Sequence, residues 1–219
     1  MGGIAVSVSS TLFFIAEIIG TVAFALSGAM TALRYKLDLF GVVLLAVTTA
    51  LGGGVVRDLL LGRIPPVMFR DYRYLLCAAI TALAVFLIVR FANRSYHRHE
   101  EKLNALNNVF DAIGLGAFAV VGIEAGRAAG YGDNGFFLVF LGLMTCIGGG
   151  IMRDLFVARM PGVLHRHVYA LPCIIGACLY LLLIRLQVTE LIATPLVMVF
   201  IFVMRMLATK YRWNLPHAE

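Results

Sequence analysis

Seven long apolar runs occupy most of this 219-residue chain, at roughly 11–32, 39–61, 72–91, 105–127, 135–157, 168–187 and 189–208. A helix needs about 20 apolar residues to cross a bilayer, and it must satisfy its backbone hydrogen bonds within itself. Most of these runs are that long. The chain therefore reads as an all-α integral membrane protein with seven transmembrane helices and no room for a separate soluble domain. Residues 61% hydrophobic and 14% charged stand against about 45–50% and about 25% in soluble domains. That excludes a soluble globular enzyme, a disordered regulator and a secreted disulfide scaffold. The last two runs are parted only by Gln187, Val188, Thr189 and Glu190, a tight polar turn.

The formal net charge is +6. The few charges lie mostly between the runs, so they read as topology signals and as contacts to anionic membrane lipid. Nucleic acid is not expected as a partner. With the N-terminus outside and the C-terminus cytoplasmic, twelve of the 18 Lys and Arg fall on the inside, the arrangement that the positive-inside rule favours. The basic stretch from Arg63 to Arg73 falls on the other side. The start, MGGIAVSVSS, has no basic n-region, so the first helix is expected to remain in the mature protein. Cys77, Cys146, Cys173 and Cys178 sit inside apolar runs with no CxxC and read as small buried hydrophobes.

The chain also repeats itself. The second run ends in GGGVVRDLLLGRIP (Gly52 to Pro65) and the fifth in GGGIMRDLFVARMP (Gly148 to Pro161), at an offset of 96 residues. Upstream, EIIGTVAFALSG (Glu17 to Gly28) lies over DAIGLGAFAVVG (Asp111 to Gly122) at an offset of 94. Runs one to three thus recur as runs four to six. Three is odd, so the second unit enters the membrane from the opposite side and the two repeats are inverted. The expected organisation is a first three-helix repeat (1–92), a polar linker (93–104), a second, inverted three-helix repeat (105–187), and a seventh helix with the C-terminal tail (188–219). Inverted repeats recur in transport proteins, with the pathway near the midplane at their interface.

The residues that carry chemistry follow from that symmetry. Each Gly weakens a helix by about 1 kcal/mol relative to Ala, so Gly52, Gly53 and Gly54, and Gly148, Gly149 and Gly150, are expected to break or kink their helices beside a pore. Close helix packing through small residues is the alternative. Arg57, Asp58, Arg153 and Asp154 follow the triplets as charges inside the span, where ionisable groups mark function by default. Neighbours on a helix point about 100° apart, so pairing across the repeats, Arg57 with Asp154 and Asp58 with Arg153, is open; so is snorkelling to the headgroups. Glu17 and Asp111 lie about 9 Å inside their spans, suited to a vestibule, a subunit interface or a helix start favoured by the macrodipole. His97-Arg98-His99 and His165-Arg166-His167 read as solvated inner loops. No GxSxG, HExxH or P-loop occurs, and no enzyme activity, cofactor or metal site is expected beyond permeating potassium or sodium ions.

At its two GGGxxRD segments the chain resembles the prokaryotic branch of the trimeric intracellular cation (TRIC) channel family, bacterial members of which are also labelled glycine transporters. The resemblance covers nearly the whole chain. It implies a homotrimer in the cell (inner) membrane, with a potassium-conducting pore in each protomer beside glycine-kinked second and fifth helices. Gly52 to Gly54 and Gly148 to Gly150 match the kinks, and Arg57, Asp58, Arg153 and Asp154 the charges beside them. The lysine-containing lipid-binding motif of the animal members is absent here, so lipid regulation does not carry over. A secondary transporter of a small zwitterion such as glycine is the alternative that the same broken helices would serve.

Overall fold

The computed structural model describes residues 2–92, 100–165 and 168–214. The elements among them are α1 (Gly2–Arg34), α2 (Leu39–Leu60), the single turn α3 (Val67–Arg70), α4 (Tyr72–Ala92), α5 (Glu100–Gly126) continued by a π-helical turn (Arg127–Tyr131), α6 (Gly135–Phe156), the single turn α7 (Gly162–His165), α8 (Leu171–Arg185) and α9 (Glu190–Lys210). Six of these are long and apolar enough to cross a membrane. The sixth apolar run yields only the 15-residue α8, about 22 Å at 1.5 Å per residue, shorter than the hydrocarbon core. The triplet at His97 and the Arg166 and His167 of the second triplet lie outside the described residues.

The repeat reaches down to the helix caps. The Asp38 side chain accepts a hydrogen bond from the Gly41 N–H at 2.8 Å to start α2, and Asn134 accepts from Phe137 N–H at 3.0 Å to start α6. Both positions are 96 residues apart, and both satisfy an N–H that the first helical turn leaves without a partner. Within each unit α1 packs on α2 and α4, and α5 packs on α6 and α8; between units α1 packs on α5 and α2 on α6. The seventh helix, α9, lies against α5 and α8. Two three-helix repeats with an added seventh helix are thus seen directly.

The inversion shows in the register at the centre. A methyl added to Gly53 would overlap the backbone of Thr145, and one added to Gly149 would overlap that of Thr49. Residue numbers that rise on one helix as they fall on the other mark an antiparallel crossing of α2 and α6. The expected helix breaks are not there: both helices continue without interruption through their glycine triplets. The central glycines instead remove the side chains that would hold the two backbones apart. The outer members differ: a methyl on Gly52 would meet the Met152 sulfur at 2.5 Å and one on Gly148 the Gly53 Cα at 3.1 Å, whereas a methyl on Gly54 would meet nothing closer than the Arg57 guanidinium at 3.8 Å.

The same economy brings α1 against α5. Phe24 and Phe118 meet edge to face, with ring centroids 5.2 Å apart. Each ring lies over a glycine of the facing helix: Phe118 over Gly20, Phe24 over Gly114. Glycine at these sites is required by space, since an added methyl would enter the ring. The aromatic pair and the glycine crossing form a buried apolar plug at the pseudo-symmetry centre of the molecule.

Candidate functional site

One turn beyond the glycines on each of α2 and α6 stands a buried arginine. Because the helices are antiparallel, Arg57 and Arg153 lie on opposite sides of the crossing. The Arg57 guanidinium donates to Asp58 Oδ1 at 2.9 Å and lies 3.5 Å from Glu17 Oε1 on α1. The Arg153 guanidinium donates to Asp154 Oδ1 at 3.0 Å and to Asp111 Oδ1 on α5 at 2.7 Å. Each arginine is therefore neutralised within its own repeat. The open cross-repeat pairing, Arg57 with Asp154 and Asp58 with Arg153, does not form. Although neighbouring side chains on a helix diverge, the long arginine folds back to its adjacent aspartate and still reaches the acid on the preceding helix. Snorkelling is also ruled out, as both arginine side chains are only 7% exposed.

The two aspartates have a second task. Asp58 Oδ2 accepts from the Val67 N–H at 2.9 Å and Asp154 Oδ2 from the Gly162 N–H at 2.8 Å. These N–H groups open the short α3 and α7, so each aspartate ties the end of its long helix to the segment that follows. Arg63 and Arg159 close the same turns through their backbone N–H groups, which donate to the Asp58 and Asp154 carbonyls. Along the first connection, Arg73 hydrogen bonds hold the Asp71 carboxyl below the usual carboxylate range.

Glu17 and Asp111 are completed by tyrosines that the sequence reading missed. The Tyr74 hydroxyl donates to Glu17 Oε2 at 2.5 Å and the Tyr169 hydroxyl to Asp111 Oδ2 at 2.7 Å. Their offset of 95 residues was the available signal. Each half thus repeats one constellation: arginine, adjacent aspartate, acid from the first helix of the unit, tyrosine from the third. Ser27 and Arg205 enter the second cluster with no repeat counterpart. Ser27 Oγ accepts from Arg153 at 2.6 Å, and the Arg205 guanidinium stacks over the Tyr169 ring at 4.3 Å.

The clusters differ in openness. Beside the first lies a small open cavity of about 40 Å³ lined by Glu17, Thr21, Gly54, Arg57 and Tyr74, with Phe118 also bordering it. Glu17 is 25% exposed, whereas Asp111 is 5% exposed. Of the triplet glycines, Gly54 alone borders this cavity; Gly52, Gly53, Gly148 and Gly149 serve the crossing, and Gly150 lies 3.1 Å, measured from an added methyl carbon, from the Tyr169 hydroxyl. Among the described residues no group of three or more His, Cys, Asp or Glu is placed to hold a metal ion.

The chain matches the family model described as Glycine transporter twice, over residues 14–90 and 108–185, one match per three-helix unit. It is 38% identical over 170 residues to a UPF0126 membrane protein of Vibrio cholerae, covering 78% of this chain and 67% of that one. It is 31% identical over 205 residues to the UPF0126 inner membrane protein YadS of Escherichia coli K12, covering 91% and 93%. Among solved structures it superimposes on the TRIC trimeric intracellular cation channel orthologue from Rhodobacter sphaeroides with a TM-score of 0.81 at 28% identity, over 92% of this chain and 99% of that one. A second, reported as the structural basis for conductance through TRIC cation channels, gives a TM-score of 0.79 at 36% identity over 94% and 97%.

Proposed function

We propose, on the premise that this chain belongs to the family described as Glycine transporter and shares the fold of the TRIC cation channels, that it is a cation channel of the cell membrane conducting potassium through each protomer of a homotrimer. The observation that carries this reading is the pair of inverted charged clusters facing each other across one apolar plug. With the N-terminus outside, the Arg57 cluster and its cavity form the outer mouth and the Arg153 cluster the inner one. The plug at Phe24, Phe118 and the glycine crossing is the constriction between them, an apolar narrowing of the kind that gates by dewetting.

Chemically, the outer mouth holds two carboxylates against one arginine and so is one charge in excess on the acidic side with all groups ionised, which lowers the cost of bringing a monovalent cation out of water. At the inner mouth Arg205, over the Tyr169 ring, and Arg159, 4.0 Å from Asp154, add positive charge beside the two acids. Arginine bridges the acids while no ion is present, so neither mouth carries an unpaired buried charge in the closed state. Conduction then requires the α2–α6 crossing or the aromatic pair to part, admitting water between the mouths. Tyr169 of the inner cluster lies just before α8, which starts at Leu171.

The test is a paired measurement on purified protein in the same liposomes: potassium efflux with a valinomycin reference, and uptake of labelled glycine. Electrogenic potassium flux without saturable glycine uptake supports the channel. Saturable glycine uptake with no potassium current overturns it in favour of a small-zwitterion transporter.

A further inference from the structure

The two clusters are built to one plan, yet among the described residues only the Arg153 guanidinium, and not that of Arg57, hydrogen bonds a side chain of the other repeat; at the outer end the cross-repeat bond is from Arg63 to the Ala125 carbonyl at 3.3 Å. Arg153 Nη1 donates to Ser27 Oγ at 2.6 Å while the same nitrogen donates to Asp111 Oδ1 at 2.7 Å. Ser27 belongs to α1, in the first repeat; Arg153 belongs to α6, in the second. Under the offset of 94 that relates α1 to α5, the counterpart of Ser27 is Val121, which is buried and has no hydroxyl to offer Arg57. Arg57 stands 3.5 Å from Glu17, whereas Arg153 is 2.7 Å from Asp111.

Hydrogen bonds to an ionised donor are roughly twice as strong as neutral ones, and this one is fully enclosed, with Ser27 at 0% exposure. It also fixes the guanidinium between two partners, which orients it onto Asp111. Any motion that draws the charged end of α6 away from α1 must break it first. No comparable bond crosses the repeats at Arg57 among the hydrogen bonds of the described residues.

We propose that Ser27 is the latch of the inner mouth: a positioning residue that holds Arg153 on Asp111, so that the inner cluster is the closed gate and the outer cluster the side that yields first. This rests on the channel reading. Cys146 provides a reporter independent of current. It lies seven residues before Arg153 on α6, two turns deeper on the same face, and is buried.

The experiment compares S27A and V121S with the parent chain in liposomes and in planar bilayers. S27A deletes the latch without adding bulk; V121S offers the outer arginine the hydroxyl it lacks. The expected results are an open probability raised about tenfold in S27A and lowered in V121S, with unitary conductance unchanged in both. A purely structural role for Ser27 would lower the number of active channels and leave the open probability of the survivors where it was. In parallel, labelling of Cys146 by 2-aminoethyl methanethiosulfonate, located by mass spectrometry, rises several-fold in S27A. Unchanged open probability and unchanged Cys146 labelling in S27A overturn the latch. Should S27A fail to fold, V121S decides alone: open probability equal to the parent's overturns it. If the parent passes no cation while Cys146 labelling still rises in S27A, the latch stands and the channel reading falls.

Discussion

The central glycines make the sharpest quantitative claim, because the same substitution has opposite consequences one residue apart. Gly53→Ala places a methyl carbon 3.0 Å from the Thr145 carbonyl carbon and directly over its oxygen, where carbon pairs prefer about 3.5–4.0 Å. Both partners are backbone in continuous helices, so no side chain can rotate away, and α2 and α6 must separate by on the order of 1 Å. Overpacking of this kind costs about 1–3 kcal/mol, offset by about 1 kcal/mol of helix propensity gained on replacing Gly. Gly54→Ala gains the same propensity against an obstacle no nearer than a flexible guanidinium at 3.8 Å. For a chain of this size about 1 kcal/mol moves Tm by roughly 2–4 °C. Thermal unfolding in detergent, followed by size-exclusion chromatography, should therefore place Gly54→Ala a few degrees above the parent and Gly53→Ala below it. Gly149→Ala, which meets Thr49 in the same way, should behave as Gly53→Ala does. If Gly53→Ala and Gly54→Ala unfold at the same temperature, the close crossing is wrong.

Three further outcomes follow from the same geometry. Tyr169→Phe removes a hydroxyl donating to a carboxylate that is 5% exposed, and should cost about 1.5–3 kcal/mol in thermal or denaturant unfolding; Tyr74→Phe, beside the open cavity, should cost clearly less, and equal losses would contradict the asymmetry of the two mouths. Asp58→Asn and Asp154→Asn each remove a negative charge from a mouth, and bilayer recordings in a salt gradient should show the reversal potential shifting toward zero, with anion permeability rising. Phe24→Ala empties the aromatic plug against Phe118 and Gly114 and should raise resting potassium leak in liposomes; a leak no greater than the parent's would move the constriction elsewhere.

Most of the architecture was legible before any coordinates, for reasons that are physical. Apolar runs long enough to span leave few folds open, and an odd number of runs per repeat forces inversion. The motif pairs Arg57/Arg153 and Asp58/Asp154 located both clusters, and Glu17/Asp111 supplied the acids that complete them. Of the break or kink expected at the glycine triplets, a break does not occur, since α2 and α6 run on through them. Propensity argues that three glycines weaken a helix, but tertiary contact decides the matter here, since Gly53 and Gly149 are the only way two backbones approach so closely. The pairing of Arg57 with Asp58 was missed because helical angles were given more weight than the reach of an arginine. Tyr74 and Tyr169 were visible as a repeat pair but sit in stretches where the surrounding residues differ. Ser27 and Arg205 have no repeat counterpart in their roles, so nothing in the pattern singled them out.

The most direct test of the account is single-channel recording of the purified protein in a planar bilayer under a tenfold potassium chloride gradient. The account predicts discrete current steps that reverse close to the potassium equilibrium potential, about 59 mV in magnitude for such a gradient, and that are unaffected by glycine on either side. Absence of steps above an empty bilayer, or a reversal at zero, would contradict it.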